Sequence, residues 1–157
     1  MSREWISAEG LKRLEDEYHL LIKVERPQVV QQVADAAAEG DRSENAEYIY
    51  GKKKMRDIDR RLKYLSDRMN KVEVRAPSTL SDSVGFLSVV EVENLETGEV
   101  KMFQIVGPDE SDISGGKVSY LSPIGRAMMG KEVDEDFGFK APGGDRIYCV
   151  NSIDISG

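Results

Sequence analysis

The sequence contains one cysteine and one histidine, and this scarcity excludes several kinds of site. Cys149 alone cannot supply a disulfide or a cysteine zinc site, and within the apolar run "RIYCV" it is expected to be a buried, unreactive thiol. His19 alone excludes a metal site built from several histidines. No apolar run reaches the roughly 20 residues that a membrane-spanning helix needs, and the N-terminus lacks the apolar segment of a signal peptide. The sequence therefore predicts a cytoplasmic protein without membrane contact.

Positive charge is scarce everywhere except in one short block. Residues 52–71 carry nine basic and three acidic side chains, against six and eleven in residues 1–51 and seven and fifteen in residues 72–157, within a net charge of −7. General attraction to nucleic acid is therefore not expected, whereas a local contact with phosphate groups is compatible with the block. A solvated helix face is the alternative interpretation of the same residues.

Two long helices are predicted in the first half of the chain. The first begins after Ser7, a suitable N-cap, and Pro27 predicts a kink or a short break just before it. Its apolar positions recur at spacings of three and four, and those of the second helix do so without interruption. These positions are Leu11, Leu14, Tyr18 and Leu21, then Val30, Val33 and Ala37, and in the second helix Met55, Ile58, Leu62, Leu65, Met69 and Val72. The pattern predicts an antiparallel coiled-coil hairpin over residues 1–76.

The second half has a different periodicity. The stretch "RAPSTLSDS" has the composition of a linker. After it, "FLSVVEVENLETGEVKMFQIVG" predicts two strands with a turn at 94–98, "SPIGRAMMGK" a short helix capped by Ser122, and residues 146–155 a final strand. The fold class is therefore predicted as α+β, with the hairpin followed by a small α+β domain over residues 77–157.

An acidic turn separates the two predicted helices. The stretch "GDRSENAEY" places Asp41, Glu44 and Glu47 within seven positions. Asp41 followed by Glu44 matches a capping box for the second helix, which is one explanation. Carboxylates are also suitable ligands for Mg²⁺, although two of them bind the ion weakly unless another molecule completes its coordination. Both interpretations remain open on the residues alone.

The chain also resembles a known family. The stretch "ERPQVVQQVADAAAEGDRSENAEYIYGKKKMRDIDRRLKYL", together with "FQIVGPDESD" and "SPIGRAMMGK", is similar to the bacterial Gre transcript-cleavage factors, and "KKKMRDIDRRLKYL" looks closer to GreB than to GreA. The resemblance implies an FKBP-like C-terminal domain and a hairpin that enters the secondary channel of RNA polymerase. It further implies a transcription elongation factor that stimulates the polymerase to cleave backtracked nascent RNA.

The resemblance assigns roles to individual residues. Asp41 and Glu44 would help to hold the second Mg²⁺ of the polymerase active centre and orient the attacking water. The ion would be bound only in the complex, and the isolated protein, a monomer, would be an accessory factor and not an enzyme. The nascent RNA 3′ segment would contact Lys52, Lys53, Arg56 and Arg60, and the polymerase would dock near Ser119, Ser122 and Pro123.

Two other classes of function stand beside this one. A Gre-like regulator could bind the channel and inhibit the polymerase without activating cleavage. A stand-alone isomerase or nuclease is the other class. Against it, residues 77–157 contain no tryptophan for the floor of an isomerase pocket, and the acidic turn offers few metal ligands for a nuclease.

Overall fold

A computed structural model describes residues 3–40, 45–79 and 82–154 of the chain. The chain divides into two compact units, Leu11–Lys71 and a second unit that combines Met1–Gly10 with Val72–Gly157. The sequence predicts a division after residue 76, inside the stretch 75–83 that has the composition of a linker. The α+β class and the order of a helical region followed by a sheet domain are confirmed.

Helix α1 runs over Ala8–Leu20, a π-helical turn over Leu21–Glu25, helix α2 over Arg26–Ala38 and helix α3 over Ala46–Lys71. The helical unit contains α2, α3 and all of α1 except its first three residues. Ser7 caps α1, because its Oγ accepts a hydrogen bond from the Gly10 amide at 2.9 Å. The predicted irregularity before Pro27 is confirmed, and it takes the form of the π-helical turn.

The buried positions of this unit show what the π-helical turn does. The first arm is the continuous helical stretch 8–38, which comprises α1, the π-helical turn and α2. Buried residues fall seven apart along α3. In the first arm they also fall seven apart, except across the π-helical turn, where the spacing is eight. They are Leu14, Leu21, Val29 and Ala36 in the first arm, and Gly51, Ile58 and Leu65 in α3. The prediction that Val30 continues the pattern is wrong, since Val30 is 40% exposed and its neighbour Val29 is buried. A π-helical turn accommodates one extra residue and shifts every later position.

The second unit is built on a five-stranded sheet in the order β5-β4-β3-β7-β6. Its strands are β3 (Val89–Asn94), β4 (Val100–Val106), β5 (Lys117–Ser119), β6 (Asp136–Ala141) and β7 (Gly144–Asp154). Neighbouring strands are antiparallel except β4 and β5. The predicted β3–β4 hairpin and the predicted final strand are confirmed, whereas the sequence did not predict β5 or β6.

The hydrophobic core of this unit lies on one face of the sheet under a short helix. Helix α4 runs over Pro123–Met128, and Ser122 caps it as predicted, since its Oγ accepts from the Gly125 amide at 3.1 Å. Met128 of this helix is fully buried. The core around it contains Val84, Val90, Val92, Ile105, Val118, Phe137, Tyr148, Val150 and Ile153.

The N-terminal segment belongs to the sheet unit. Strands β1 (Glu4–Ile6) and β2 (Val72–Val74) pair in parallel, in register from Glu4 opposite Val72. The Trp5 ring stacks on Tyr120 at 4.5 Å between centroids, and the Arg75 guanidinium lies 3.9 Å from the Trp5 centroid. The Glu110 carboxylate accepts hydrogen bonds from the Ser7 amide and hydroxyl. These contacts explain why the first ten residues cluster with the sheet and not with the hairpin.

Candidate functional site

The two predicted tip acids, Asp41 and Glu44, lie outside the described residues, but the residues that flank them are described. Helix α2 ends at Ala38 and α3 begins at Ala46. Asn45 connects these ends. Its Oδ1 accepts from the Tyr48 amide at 3.1 Å, and its Nδ2 donates to the Ala36 carbonyl oxygen at 2.8 Å.

The contacts of Asn45 show which residue caps α3. Helix α3 starts after Asn45, and the Asn45 side chain satisfies an amide of its first turn, so Asn45 is the N-cap. The observed cap thus lies four residues after Asp41, the cap that the capping-box interpretation predicts, and Asp41 itself lies outside the described residues. The sequence does contain a signal for the observed cap, since Asn45 is followed by Ala46, a strong helix former, and by Glu47 in the first turn. Glu47 lies exposed in the first turn of α3.

The described residues contain no candidate metal cluster. Within residues 3–40, 45–79 and 82–154, no three histidine, cysteine, aspartate or glutamate side chains come together in a way that could hold a metal ion. Cys149 is half-buried, and burial, followed by the Asp136 carboxylate, raises the pKa of its thiol. A raised pKa leaves little thiolate at neutral pH, in agreement with an unreactive side chain.

The basic block lies on α3, and its members differ in how their charges are used. Arg61 forms an ion pair with Glu17 of α1 at 2.5 Å, and this hydrogen bond lowers the pKa of the Glu17 carboxyl. Arg60 forms an exposed ion pair with Asp57, with 3.4 Å between Arg60 Nη2 and Asp57 Oδ1. In the part of the chain that the structure describes, four cations near the start of α3 have no ion pair: Lys52, Lys53, Lys54 and Arg56.

The position of these free cations follows from the buried side of α3. Gly51 faces α2 closely, since a Cβ there would lie 2.7 Å from Val33 Cγ2, and Ile58 is buried on the same side. Lys53 and Arg56 are displaced by more than a quarter turn from this side and are exposed. Of the four predicted RNA-contacting residues, Lys52, Lys53 and Arg56 thus carry free charge, while Arg60 shares its charge with Asp57.

The three predicted docking residues form the connection between β5 and α4. Ser119 is buried, and its Oγ accepts from the Leu121 amide at 3.1 Å. Its carbonyl oxygen accepts from the Ser122 hydroxyl at 2.7 Å. Pro123 is exposed at the first position of α4. Ser119 therefore shapes the loop from within, and Pro123 is the side chain of the three that is most available at the surface.

This loop borders an open cleft of about 740 Å³ in the sheet unit. All three predicted docking residues line the cleft, together with apolar and aromatic side chains of β4, β6 and β7 such as Phe103, Phe139 and Tyr148. Lys101 and Lys140 also lie on its wall. The cleft thus combines an apolar surface with two positive charges in a half of the chain that is acidic overall.

Comparison with known protein families matches both halves of the chain. A family model described as the GreA/GreB N-terminal domain of transcription elongation factors matches residues 4–74, and one described as the GreA/GreB C-terminal domain matches residues 76–155. The chain belongs to the GreA/GreB family. It is thus a member of a family of transcription elongation factors, and the predicted resemblance is confirmed over both units.

The individual Gre relatives agree with the predicted branch. Transcription elongation factor GreB of Xanthomonas axonopodis pv. citri is 46% identical over 96% of this chain and 90% of that protein. GreB of Yersinia pestis is 43% identical over 95% of this chain and 87% of its own. Transcription elongation factor GreA of Syntrophotalea carbinolica is 40% identical over 94% of each. The higher identity to these GreB proteins confirms the similarity to the GreB branch.

The comparison with solved structures matches nearly the whole chain. GreA factor homolog 1 (Gfh1) of Thermus thermophilus is matched over 97% of this chain and 99% of that chain, with 22% identity and a TM-score of 0.44.

No helix in the described part of the chain has both the length and the apolar character needed to cross a membrane.

Proposed function

We propose that this Gre protein inserts its helical hairpin into the secondary channel of RNA polymerase and stimulates the polymerase to cleave backtracked nascent RNA. The observation that carries the proposal is the arrangement at one end of the hairpin. Asp41 and Glu44 fall in the sequence between the end of α2 and the start of α3, and four cations without ion pairs among the described residues follow on α3. Family membership over both halves of the chain supports the same function.

The hairpin is suited to deliver the acidic segment to a distant site. Helix α3 has 26 residues, which corresponds to a length of about 39 Å at 1.5 Å per residue. The ion pairs Glu17–Arg61 and Arg26–Asp59 connect the first arm to α3 along this length. Asn45 joins the two helix ends directly at the base of the segment. A stiff arm of this kind restricts where the acids are placed.

Asp41 and Glu44 are the residues that would hold Mg²⁺ in the complex with polymerase. Their carboxylates are hard oxygen donors, which fit this ion, and two of them alone bind it weakly. The bound ion would stabilise charge on the attacking or leaving oxygen of the cleaved phosphodiester. The carboxylates would position the ion and accept a hydrogen bond from the attacking water. Because the remaining ligands come from polymerase and RNA, the protein acts as an accessory factor without hydrolytic activity of its own.

The free cations would contact the nascent RNA 3′ segment through its phosphates. Such contacts are independent of sequence, as a factor that acts on any transcript requires. Lys52, Lys53 and Arg56 are available, and Arg60 joins them if its contact with Asp57 is exchanged for phosphate. The net charge of −7 disfavours binding to free nucleic acid, so the RNA would be engaged only where polymerase presents it.

The cleft beside Ser119, Ser122 and Pro123 would be the docking surface for polymerase. Its aromatic lining and the adjacent Lys101 and Lys140 suit a partner surface that combines apolar and acidic side chains. The protein would work as a monomer in the cytoplasm, where transcription takes place. A single docking contact on the sheet unit would place one hairpin in one channel.

The test is a cleavage assay on stalled, backtracked elongation complexes. Purified protein is added to complexes with labelled RNA, and the released RNA fragments are resolved by length. Stimulated release of short 3′ fragments is expected, and the protein should cleave no RNA without polymerase. Binding to polymerase without any cleavage would overturn the proposal in favour of an inhibitor of the channel. Cleavage by the protein alone would indicate a nuclease.

A further inference from the structure

The start of α3 exposes an aromatic side chain that the functions described above do not use. Tyr50 is 66% exposed, and its neighbour Ile49 is 52% exposed. Among residues 3–40, 45–79 and 82–154, Tyr50 forms no hydrogen bond, ring contact or cation contact. A single exposed apolar side chain is common on protein surfaces, so its surroundings decide whether it has a role.

The other tyrosines of α3 provide a comparison within the same helix. Tyr64 is 48% exposed, but the Arg61 guanidinium lies over its ring, 4.9 Å from the centroid. Tyr48 is half-buried near the N-terminus of the helix. Tyr50 thus differs from both, because its side chain is largely exposed and no aromatic ring or cation of the described residues lies against its ring.

The charges around Tyr50 indicate what kind of partner would cover it. Lys53 and Lys54 follow it by three and four residues, so both side chains are its neighbours on the helix surface. Neither lysine has an ion pair within the described residues, and Lys52 and Arg56 are equally free. The cations lie on the C-terminal side of the ring, and Glu47 lies one turn before it. An exposed ring beside free cations is the combination by which proteins bind single-stranded nucleic acid without regard to sequence. The ring stacks on a base and the cations contact phosphates.

We propose that Tyr50 stacks on a base of the single-stranded RNA 3′ segment, beside the phosphates that Lys53 and Lys54 contact. This proposal rests on the function proposed above, since the acidic chain as a whole does not attract free RNA. The two contacts differ in kind. Stacking depends on the aromatic face and is almost independent of salt, whereas the phosphate contacts weaken as salt rises.

The first experiment measures the affinity of the full-length protein for backtracked complexes that differ only in the length of extruded RNA. Tyr50→Leu keeps an apolar side chain of good helix propensity and removes the ring. We expect it to bind complexes with extruded RNA about ten-fold more weakly, in the range found when one stacked base loses its ring. Affinity for complexes without extruded RNA should be unchanged, and Tyr50→Phe should behave like the wild type.

Two controls separate stacking from other effects. Tyr64→Leu removes an exposed tyrosine of the same helix whose ring is already covered, and it should leave the affinity unchanged. Lys53→Ala should reduce the slope of affinity against salt, whereas Tyr50→Leu should lower the affinity and leave that slope as it is. A Tyr50→Leu variant that lost affinity equally for complexes with and without extruded RNA would contradict a base contact.

The second experiment removes the base instead of the ring. RNA with one abasic ribose is placed in turn at each extruded position. If Tyr50 stacks on a base, one abasic position weakens the wild type and has no further effect on Tyr50→Leu. Additive losses at every position, or a Tyr50→Leu variant with wild-type affinity, would overturn the proposal. A wild-type protein that neither binds polymerase nor stimulates cleavage would instead refute the function proposed above.

Discussion

Asn45 offers a prediction in which two roles of one side chain can be separated. Its Oδ1 accepts a hydrogen bond from the Tyr48 amide, which caps α3, and its Nδ2 donates to the Ala36 carbonyl oxygen, which links α3 to the end of α2. Asn45→Asp keeps the acceptor and removes the donor. Asn45→Ala removes both. The two variants therefore differ in one hydrogen bond.

The expected magnitudes follow from these contacts. Replacement of an N-cap by alanine costs about 1 kcal/mol, and the net contribution of a typical hydrogen bond is also about 1 kcal/mol. Asn45→Ala should therefore lower the free energy of unfolding of the helical unit by about 2 kcal/mol. Asn45→Asp should lower it by about 1 kcal/mol, since aspartate caps as well as asparagine but cannot donate to Ala36.

The two units can be followed separately in the full-length protein. Trp5 is the single tryptophan and lies in the sheet unit, so its fluorescence reports the unfolding of that unit. Far-ultraviolet circular dichroism reports mainly the helices. Each variant is unfolded in urea and recorded with both signals. Each Asn45 substitution should shift the circular dichroism transition to lower urea concentration and leave the fluorescence transition in place.

A matched control and two outcomes test the reasoning. Ser122→Ala removes the N-cap of α4 in the sheet unit, and it should shift the fluorescence transition and spare the helical one. If Asn45→Asp were as stable as the wild type, the bond to Ala36 would contribute nothing. If Asn45→Asp and Asn45→Ala were equally destabilised, the cap would contribute nothing and the assignment of Asn45 as the N-cap would fail.

Three further predictions concern the acids, one ion pair and the N-terminal segment. Asp41→Ala or Glu44→Ala should abolish stimulated cleavage and leave polymerase binding nearly intact; full cleavage by Asp41→Asn would refute the metal role. Arg61 lowers the pKa of Glu17, so this pair stabilises the fold above the unfolded pKa of about 4.3 and ceases to do so as the pH falls through the folded pKa. Glu17→Gln should thus cost up to about 1 kcal/mol at pH 7, because both side chains are partly exposed, and its unfolding curves should converge with those of the wild type once the pH falls through the lowered folded pKa. Trp5→Ala should destabilise the sheet unit by about 2 to 3 kcal/mol, seen as faster amide hydrogen exchange in its strands, because the ring stacks on Tyr120 and is only half-buried.

Much of the fold could be predicted because its signals are local. The uninterrupted spacing along α3 and the alternation in β3 and β4 each fall within one element. The cap of α4 likewise needs only Ser122 and the residues that follow it. Features of this kind depend on neighbouring residues, and sequence patterns report them well.

The parts that the sequence did not predict depend on distant partners. Strands β1 and β2 have three residues each and pair across 68 positions, so neither has a periodicity that could be recognised. The same holds for the stacking of Trp5 on Tyr120, 115 residues apart. The division of the chain after residue 10 and before residue 72 is a consequence of these contacts. Composition predicts a division at the linker, and it carries no information on these long-range contacts, which end the helical unit at Lys71.

The candidate site could be predicted on α3 more fully than on the first arm, and the π-helical turn explains the difference. Across that turn the spacing of buried residues changes from seven to eight, so the choice between Val29 and Val30 cannot be made from a regular pattern. Helix α3 has no such irregularity in its 26 residues. The faces of Tyr50, Lys53 and Arg56 therefore follow directly from the buried positions Gly51 and Ile58. The hairpin thus confines its irregularity to the arm without the basic block, and the arm that carries the block is a continuous helix on which the relative placement of ring and cations is fixed.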